Sequence, residues 1–280
     1  MKAKAIKTVV LYNRGHMGSI IVLNKILKMK SYDVTAIVRV KNVNFTSSGY
    51  KKLKKNIDKT GVIFAFMLFL QALVQGLAFL VSYLLPFLKK RQLTSSEIAH
   101  KYGIKIHDSA NINSQETIDF LKEQNPELMI SAYFPQILKD QALAIPRKGV
   151  LNIHPGHIPQ YKGAMAYFWA VKNNSPKAGV SVHWMDQGID TGPLLARKSF
   201  KIKAKTSQDK VLIKTAIVGS SLLKRIGQKL VKGKKLETID IKLEQKAYYK
   251  MPGKKAFLEY YKSHHFFSYG AIFRAILGKY

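Results

Sequence analysis

The sequence predicts an α/β fold: a mostly parallel sheet with helices on both faces. Three observations carry that prediction. Short apolar runs rich in β-branched residues alternate with segments of helical periodicity along most of the chain. The intervening stretches carry Gly, Asn and Pro punctuation, as turns do. An amide and an imidazole sit at the carboxyl end of one predicted strand, which is where such sheets bind ligands.

Residues 7–11 (KTVVL) read as a buried strand. The Gly-containing turn YNRGHMGS and the helical pattern IIVLNKILKMK follow, so the opening is a βαβ unit. DVTAIVRV, from Asp33, is the second strand, and KIHDSA approaches a third. SQETIDFLKEQNP starts as a helix at Ser-x-x-Thr and stops at Asn-Pro. ELMISAYF is a buried strand, and GVLNIHPG is the strand that delivers Asn152 and His154. KAGVSVHWM and PLLARKSFKI supply the later strands, and residues 208–233 form a long helix with a basic face.

Residues 62–88 interrupt this alternation with 27 positions that hold no charged residue, between KKLKK and KKR. The length suffices for a transmembrane helix. A single crossing would put two strands of one sheet on opposite sides of a bilayer. The consistent arrangements are a helical hairpin turning near Gln75-Gly76, a helix in the membrane interface, or a helix buried against a partner. The flanking lysines favour shallow insertion into an anionic membrane. The expected location is cytoplasmic, peripheral on the inner face of the cell membrane. Residues 244–280 interleave Tyr, Phe and Lys, a composition that suits nucleic acid or a membrane interface.

Composition narrows the partners. Lys and Arg total 47 against 16 acidic residues, for a formal net charge of +31, and 40 of the 47 are Lys. This predicts attraction to polyanions: nucleic acid, anionic lipid or phosphorylated substrates. Lys dominance favours diffuse phosphate attraction over bidentate recognition. Cysteine is absent, which excludes a disulfide framework and a thiolate-rich metal site. No His/Cys/Asp cluster has metal-ligand spacing, so no metal is expected. The start, MKAKAIKTVVLYNRG, lacks the apolar core of a signal peptide and reads as the first strand.

The chemistry concentrates in residues 151–192. Asn152 and His154 fall on the same side of their strand by period-2 alternation. An imidazole moves protons near neutral pH. A carboxamide NH2 donates to a developing oxyanion. Asp190, in the loop MDQGIDTG, supplies a carboxylate that would orient the imidazole and favour its charged form.

The run LNIHPGHIPQYKGAMAYFWAVKNNSPKAGVSVHWMDQGIDTG resembles the active-site core of the folate-dependent formyltransferases. Asn-x-His-Pro, a nearby Lys-Gly and the later Asp-x-Gly-x-Asp-x-Gly pattern carry the resemblance. That family includes the glycinamide ribonucleotide, methionyl-tRNA and amino-sugar formyltransferases. The resemblance implies a Rossmann-like formyltransferase fold and transfer of a formyl group from 10-formyltetrahydrofolate to a primary amine. It implies that Asn152 polarises the formyl oxygen, His154 carries a proton and Asp190 supports His154. It places the folate against Phe134, Pro135, Gln136, Ile137 and Leu138 on one side, and Asp186, Gln187, Gly188 and Ile189 on the other. His183 becomes a supporting residue. Lys162 and Gly163 sit at family positions, with Lys162 near an anionic acceptor. The turn with Gly15, Gly18 and Ser19 lies where some members hold a substrate phosphate.

Gly156 and His157 depart from the family's usual His-Pro-Ser-Leu and are expected to alter the acceptor side. The implied organisation is a catalytic domain over residues 1–205, carrying the insertion 62–88, and a helical basic-aromatic extension over 206–280. The expected acceptor is phosphorylated or nucleotide-linked, a nucleotide- or lipid-linked amino sugar at an anionic membrane surface. Methionyl-tRNA and glycinamide ribonucleotide are the alternative acceptors, and a non-catalytic membrane scaffold is the alternative class.

Overall fold

The computed structural model describes residues 4–40, 54, 57–85, 91–241, 248–263 and 268–280. Among these, β1 (Ile6–Tyr12), β2 (Tyr32–Val40), β3 (Lys105–Ser109), β4 (Leu128–Ala132), β5 (Val150–His154), β7 (Lys177–Trp184) and β8 (Leu194–Lys201) form one sheet. Their spatial order is β3-β2-β1-β4-β5-β7-β8. The first five run parallel, while β7 and β8 close the edge antiparallel. A second, two-stranded pairing joins β6 (Lys162–Gly163) to β9 (Tyr248–Tyr249). The mostly parallel sheet read from the sequence is the sheet observed.

The helices are α1 (Met17–Ile26), α2 (Val62–Leu84), α3 (Ser95–Tyr102), α4 (Gln115–Gln124), α5 (Asp140–Leu143), α6 (Ala166–Lys172), α7 (Gln208–Val231), α8 (Lys254–Ser263) and α9 (Tyr269–Ile276). They cover both faces because the central strands are apolar on both sides. Along β1, Val10 and Tyr12 join a core cluster with α1 and α7, whereas Val9 and Leu11 join a second one with α4 and α5. Two helices show their punctuation clearly. Thr94 and Glu97 form a reciprocal capping box at the start of α3. Asn125 ends α4 in the left-handed conformation ahead of Pro126.

The apolar insertion is one continuous 23-residue helix, α2, so of the three arrangements consistent with the sequence the hairpin turning near Gln75-Gly76 does not occur. Leu, Ala, Phe and Met dominate the segment, and one Gly in such a run costs only about 1 kcal/mol of helix stability. Residues 86–88 of the expected insertion lie outside the described residues, as do most of its flanking lysines. α2 joins β2 to β3 in sequence and lies against α9. Its anchor is Phe64, whose ring stacks on Phe257 of α8 at 3.9 Å between centroids.

α7, α8 and α9 share the core of the sheet. α7 buries Val211, Ala216 and Leu223 in the same cluster as α1, β5 and β7. Phe257 and Tyr260 of α8 and Ile272 and Ile276 of α9 join that cluster too. The β9 strand returns to the segment just beyond β5, which ties this part of the chain to the functional residues.

Candidate active site

β5 runs through the middle of the sheet and ends at its carboxyl edge with Asn152 and His154. The antiparallel pairing with β7 puts His183 opposite Asn152. Asp190 reaches the same place from the loop after β7. Asn152 Nδ2 lies 3.4 Å from Asp190 Oδ1 and 3.1 Å from His183 Nε2. His154 Nδ1 lies 3.3 Å from Asp190 Oδ2, and both side chains are almost fully buried. The three residues singled out in the sequence therefore converge on one carboxylate, with His183 Nε2 3.4 Å from its other oxygen.

The surrounding bonds set proton positions. His183 Nδ1 lies 2.7 Å from the Trp184 carbonyl and donates to it, which leaves Nε2 to accept from Asn152. His154 Nε2 lies 2.6 Å from the Tyr161 carbonyl and donates to it, which leaves Nδ1 facing Asp190. Burial pushes the Asp190 carboxyl up, but His154 beside it and the Gly163 N–H overcome it and hold the group well below its ordinary range. Asp190 is thus an ionised carboxylate. Burial outweighs the opposing pull of Asp190 and the Tyr161 carbonyl, so the His154 imidazole pKa lies below its ordinary value.

Local backbone makes this geometry possible. Asp190 adopts a left-handed φ of 53°, which Asp tolerates better than most residues. The Gly163 N–H donates to Asp190 Oδ2 at 2.7 Å. Gly163 itself has φ +92°, and a Cβ there would lie 2.2 Å from the Tyr249 carbonyl. Lys162-Gly163 and β9 thus form the floor beneath the carboxylate. Gly156 has a comparable reason: a Cβ would lie 2.5 Å from His154 Nε2 and 2.2 Å from the Tyr161 carbonyl. Its exchange for the family's usual Ser accommodates the His154–Tyr161 bond. His157 bonds Gln160 and packs over Gly179, so its ring is engaged within the loop and against β7.

The two expected folate stretches flank this centre. Phe134 and Met185 pack against the same apolar cluster, which brings segments 134–138 and 185–190 to one end of the sheet. Ile137 and Ile189 are exposed there, and so are Pro135, Asp186, Gln187 and Gly188. Leu138 is a core side chain. The Gln136 amide is engaged by the Ile112 N–H and the Ala110 carbonyl. Asp186 Oδ1 accepts from Gly188 N and Thr191 Oγ1, which closes its loop on itself. The main chain of these residues and the side chains of Pro135, Ile137, Gln187 and Ile189 are open to a ligand.

The N-terminal turn divides. Gly15 borders a cavity of about 330 Å3. Gly18 does not face it, because its Cα packs under the Tyr133 ring. Ser19 is fully buried; its hydroxyl donates to the Ala132 carbonyl and accepts from Asn13 N–H. Those two residues hold the turn in place.

Sequence reasoning missed the cavity's most telling residues: His16, Gln208 and Asp209. His16 Nδ1 and Gln208 Oε1 are buried with no hydrogen-bond partner. Burial pushes His16 down to about 4 and Asp209 up to about 7. Buried polar atoms normally find partners, so unpartnered ones lining a cavity mark a place built for a ligand. Arg14, Gln71, Gln75 and Met165 complete the polar and apolar wall. Met165 stands two residues past Gly163, so one segment links the cavity to Asp190. Among the described residues no group of His, Cys, Asp and Glu is arranged to hold a metal.

Residues 88–226 match the family model described as formyl transferase. Methionyl-tRNA formyltransferase of Caldanaerobacter subterraneus is 32% identical over 139 residues, which are 49% of this chain and 45% of that protein. The chain thus spans about half the length of the curated relatives it matches. The phosphoribosylglycinamide formyltransferase structure from Streptococcus pneumoniae aligns with TM-score 0.52 at 14% identity, covering 80% of this chain and 98% of that one. The N-formyltransferase of Helicobacter canadensis, solved with folinic acid and dTDP-3-aminofucose, aligns with TM-score 0.53 at 18% identity, covering 88% and 71%. The two structural likenesses establish the fold.

Proposed function

The chain belongs, through residues 88–226, to the formyl transferase family, and from that premise we propose that it transfers a formyl group from 10-formyltetrahydrofolate to a primary amine. The observation that carries this reading is the convergence of Asn152 and His154 on a buried, ionised Asp190.

The folate supplies the formyl carbon on its N10. The open main chain of 134–137 and 186–189, together with Ile137 and Ile189, fits a flat heteroaromatic ring. The Asn152 NH2 is the donor for charge that builds on the formyl oxygen; its present contact to Asp190 is long enough to yield to a closer acceptor. The amine nitrogen bonds to the formyl carbon and loses one proton, while N10 gains one as its bond to that carbon breaks. His154 Nδ1 is placed to carry that proton, and Asp190 fixes the ring and balances its charge.

The acceptor we favour is a nucleotide- or lipid-linked amino sugar. Arg14 at the cavity offers a cation for its phosphate, and Asp209 offers a carboxyl group for a polar sugar. The methionyl-tRNA relatives favour a second reading, in which the acceptor is a charged initiator tRNA. The matched portion is about half of those proteins.

The test is mass-spectrometric detection of formyl gain with a panel of nucleotide-linked amino sugars, glycinamide ribonucleotide and charged initiator tRNA. Wild type should add one formyl group to one acceptor class. His154→Ala should lower that rate by about 100-fold or more. Absence of both transfer and folate binding would overturn the proposal.

A further inference from the structure

We infer that α2 seats its outward face in an anionic lipid bilayer, which sets the cavity at headgroup level, so the amine acceptor is carried on an anionic lipid. The acceptor clause rests on the formyl-transfer reading above; the docking clause does not.

The first observation is that α2 is inside out. A surface helix of a soluble protein turns its apolar stripe inward and its polar residues to water. α2 has four residues with polar side-chain groups: Gln71, Gln75, Ser82 and Tyr83. Gln75 and Ser82 are buried against the protein, and Gln71 lines the cavity beside Gln75. The outward stripe is Phe66, Phe69, Leu73, Leu77 and Leu80, each between 53% and 58% exposed. Such a continuous apolar surface marks an interaction site.

The second observation selects the occupant. The outward face carries no charge, and the segments bracketing α2 in sequence are lysine-rich, KKLKK before and KKR after. An apolar stripe preceded by the exposed Lys54 and Lys59 complements an anionic bilayer, whose acyl chains take the stripe and whose headgroups take these lysines. The net charge of +31 opposes a second copy of the same chain in that place. Tyr83, 72% exposed at the helix end, is a residue type that suits the headgroup boundary.

The third observation gives orientation. β2 and β3 are adjacent in one sheet although α2 lies between them in sequence, and the inner stripe of α2 packs on the protein through Phe64, Gln75, Ala78 and Ser82. The helix therefore docks lengthwise and does not cross. The same helix that meets lipid with one stripe walls the cavity with the next: Phe64, Leu68, Gln71, Ala72 and Gln75 face Arg14, His16 and Asp209 across it. A headgroup at the bilayer surface enters there without its lipid tail leaving the membrane.

The chain has no cysteine, so single cysteines report position cleanly. A polarity-sensitive fluorophore goes on Leu73→Cys of the full chain, and on Asp119→Cys, exposed on α4 across the sheet. With phosphatidylglycerol vesicles the label at 73 should blue-shift and the label at 119 should not; phosphatidylcholine vesicles should give at least tenfold weaker binding. Leu73→Glu, Leu77→Glu and Leu80→Glu together should lower vesicle affinity at least tenfold with an unchanged circular dichroism spectrum. No shift with vesicles, or a shift that follows protein concentration without lipid, overturns docking; the second outcome assigns the stripe to a second copy.

Acceptor delivery is read with an amino-sugar phosphate carrying either a methyl or a polyprenyl tail. In phosphatidylglycerol vesicles the long-tailed form should be formylated at least tenfold faster. The triple Glu variant should lose that preference and keep the methyl-tailed rate. Equal rates for wild type overturn the lipid acceptor. Transfer to neither removes the acceptor clause together with the formyl-transfer reading, while the fluorophore decides docking by itself.

Discussion

Two helices of nearly equal length meet at the cavity and differ in what their other faces meet. α2 contributes Gln71 and Gln75 to the wall; α7 contributes Gln208, Asp209 and Leu212. Away from the cavity α7 follows the soluble rule. It buries Val211, Ala216, Leu223 and Ile226 and exposes Lys210, Lys214, Lys224, Arg225 and Lys229. α2 exposes Phe, Leu and Val and buries Gln75 and Ser82. The polarity of the outward stripe therefore records the medium each helix faces: water for α7 and, on our reading, lipid for α2. Length and apolar content alone do not separate a core helix from a membrane-facing one.

The largest stability effect that would sharpen this contrast is expected at Gly227, on the inner face of α7. A Cβ there would lie 2.5 Å from Tyr32 Cζ. The Tyr32 hydroxyl donates to the Leu223 carbonyl at 2.7 Å, so the ring is pinned and cannot simply swing away. Gly227→Ala should destabilise the protein by about 1–3 kcal/mol, the usual cost of overpacking. Urea unfolding measures it. A neutral result would mean that α7 is not held against β2 as closely as its burial indicates.

Much of the fold and the chemical centre was legible in the sequence. Alternating apolar runs located all seven strands of the large sheet, and the spacing of Asn152 and His154 put them on one side of β5. Strand direction at the antiparallel edge was not legible, because period-2 patterning is the same for both directions. The pairing of β6 with β9 involves two residues each, too few to show any period. The capping box at Thr94 and Glu97 stood in the sequence as Thr-x-x-Glu and went unread. Asp209 looked like an ordinary acidic residue in the first turn of a helix. Its burial depends on Tyr167, Tyr260 and the backbone at Ser268, which the sequence separates from it. The inversion of α2 needed its packing side, which no uniform apolar run reveals.

The next effect concerns the α7 side of the cavity and is read through pH. Asp209 has its pKa raised by burial from an ordinary 3.8 to about 7. Between those values the folded chain binds a proton that the unfolded chain has lost, so stability falls as pH rises through the window. His16 acts in the opposite sense, since burial lowers it to about 4 and stability rises from there to its ordinary 6.5. Tyr167 and Tyr260 face Asp209 as well and stay protonated throughout, because burial raises both phenols further above their ordinary range. Comparing wild type with Asp209→Asn isolates the carboxyl. The variant should overtake wild type in stability as pH rises from 4 to 8, with the gap closing by pH 4. Thermal melts across that range check it, and a gap independent of pH would show that Asp209 does not titrate as its burial dictates.

The smallest effect lies on α2 and has the opposite sign to that at Gly227. Gly76 sits on the outward stripe, within the helix, and a Cβ there meets nothing within 4 Å. With no clash to oppose it, Gly76→Ala adds only helix propensity and reduced freedom in the unfolded chain. It should stabilise the protein by about 0.5–1 kcal/mol in urea unfolding. The same Gly-to-Ala change thus reads out the two surfaces: a pinned aromatic against α7 and open space against α2. The added methyl also extends the apolar stripe, so vesicle affinity should stay equal or rise. A loss of stability at Gly76 would mean that another surface already covers this stripe in solution, and the contrast between the helices would then be one of partners instead of media.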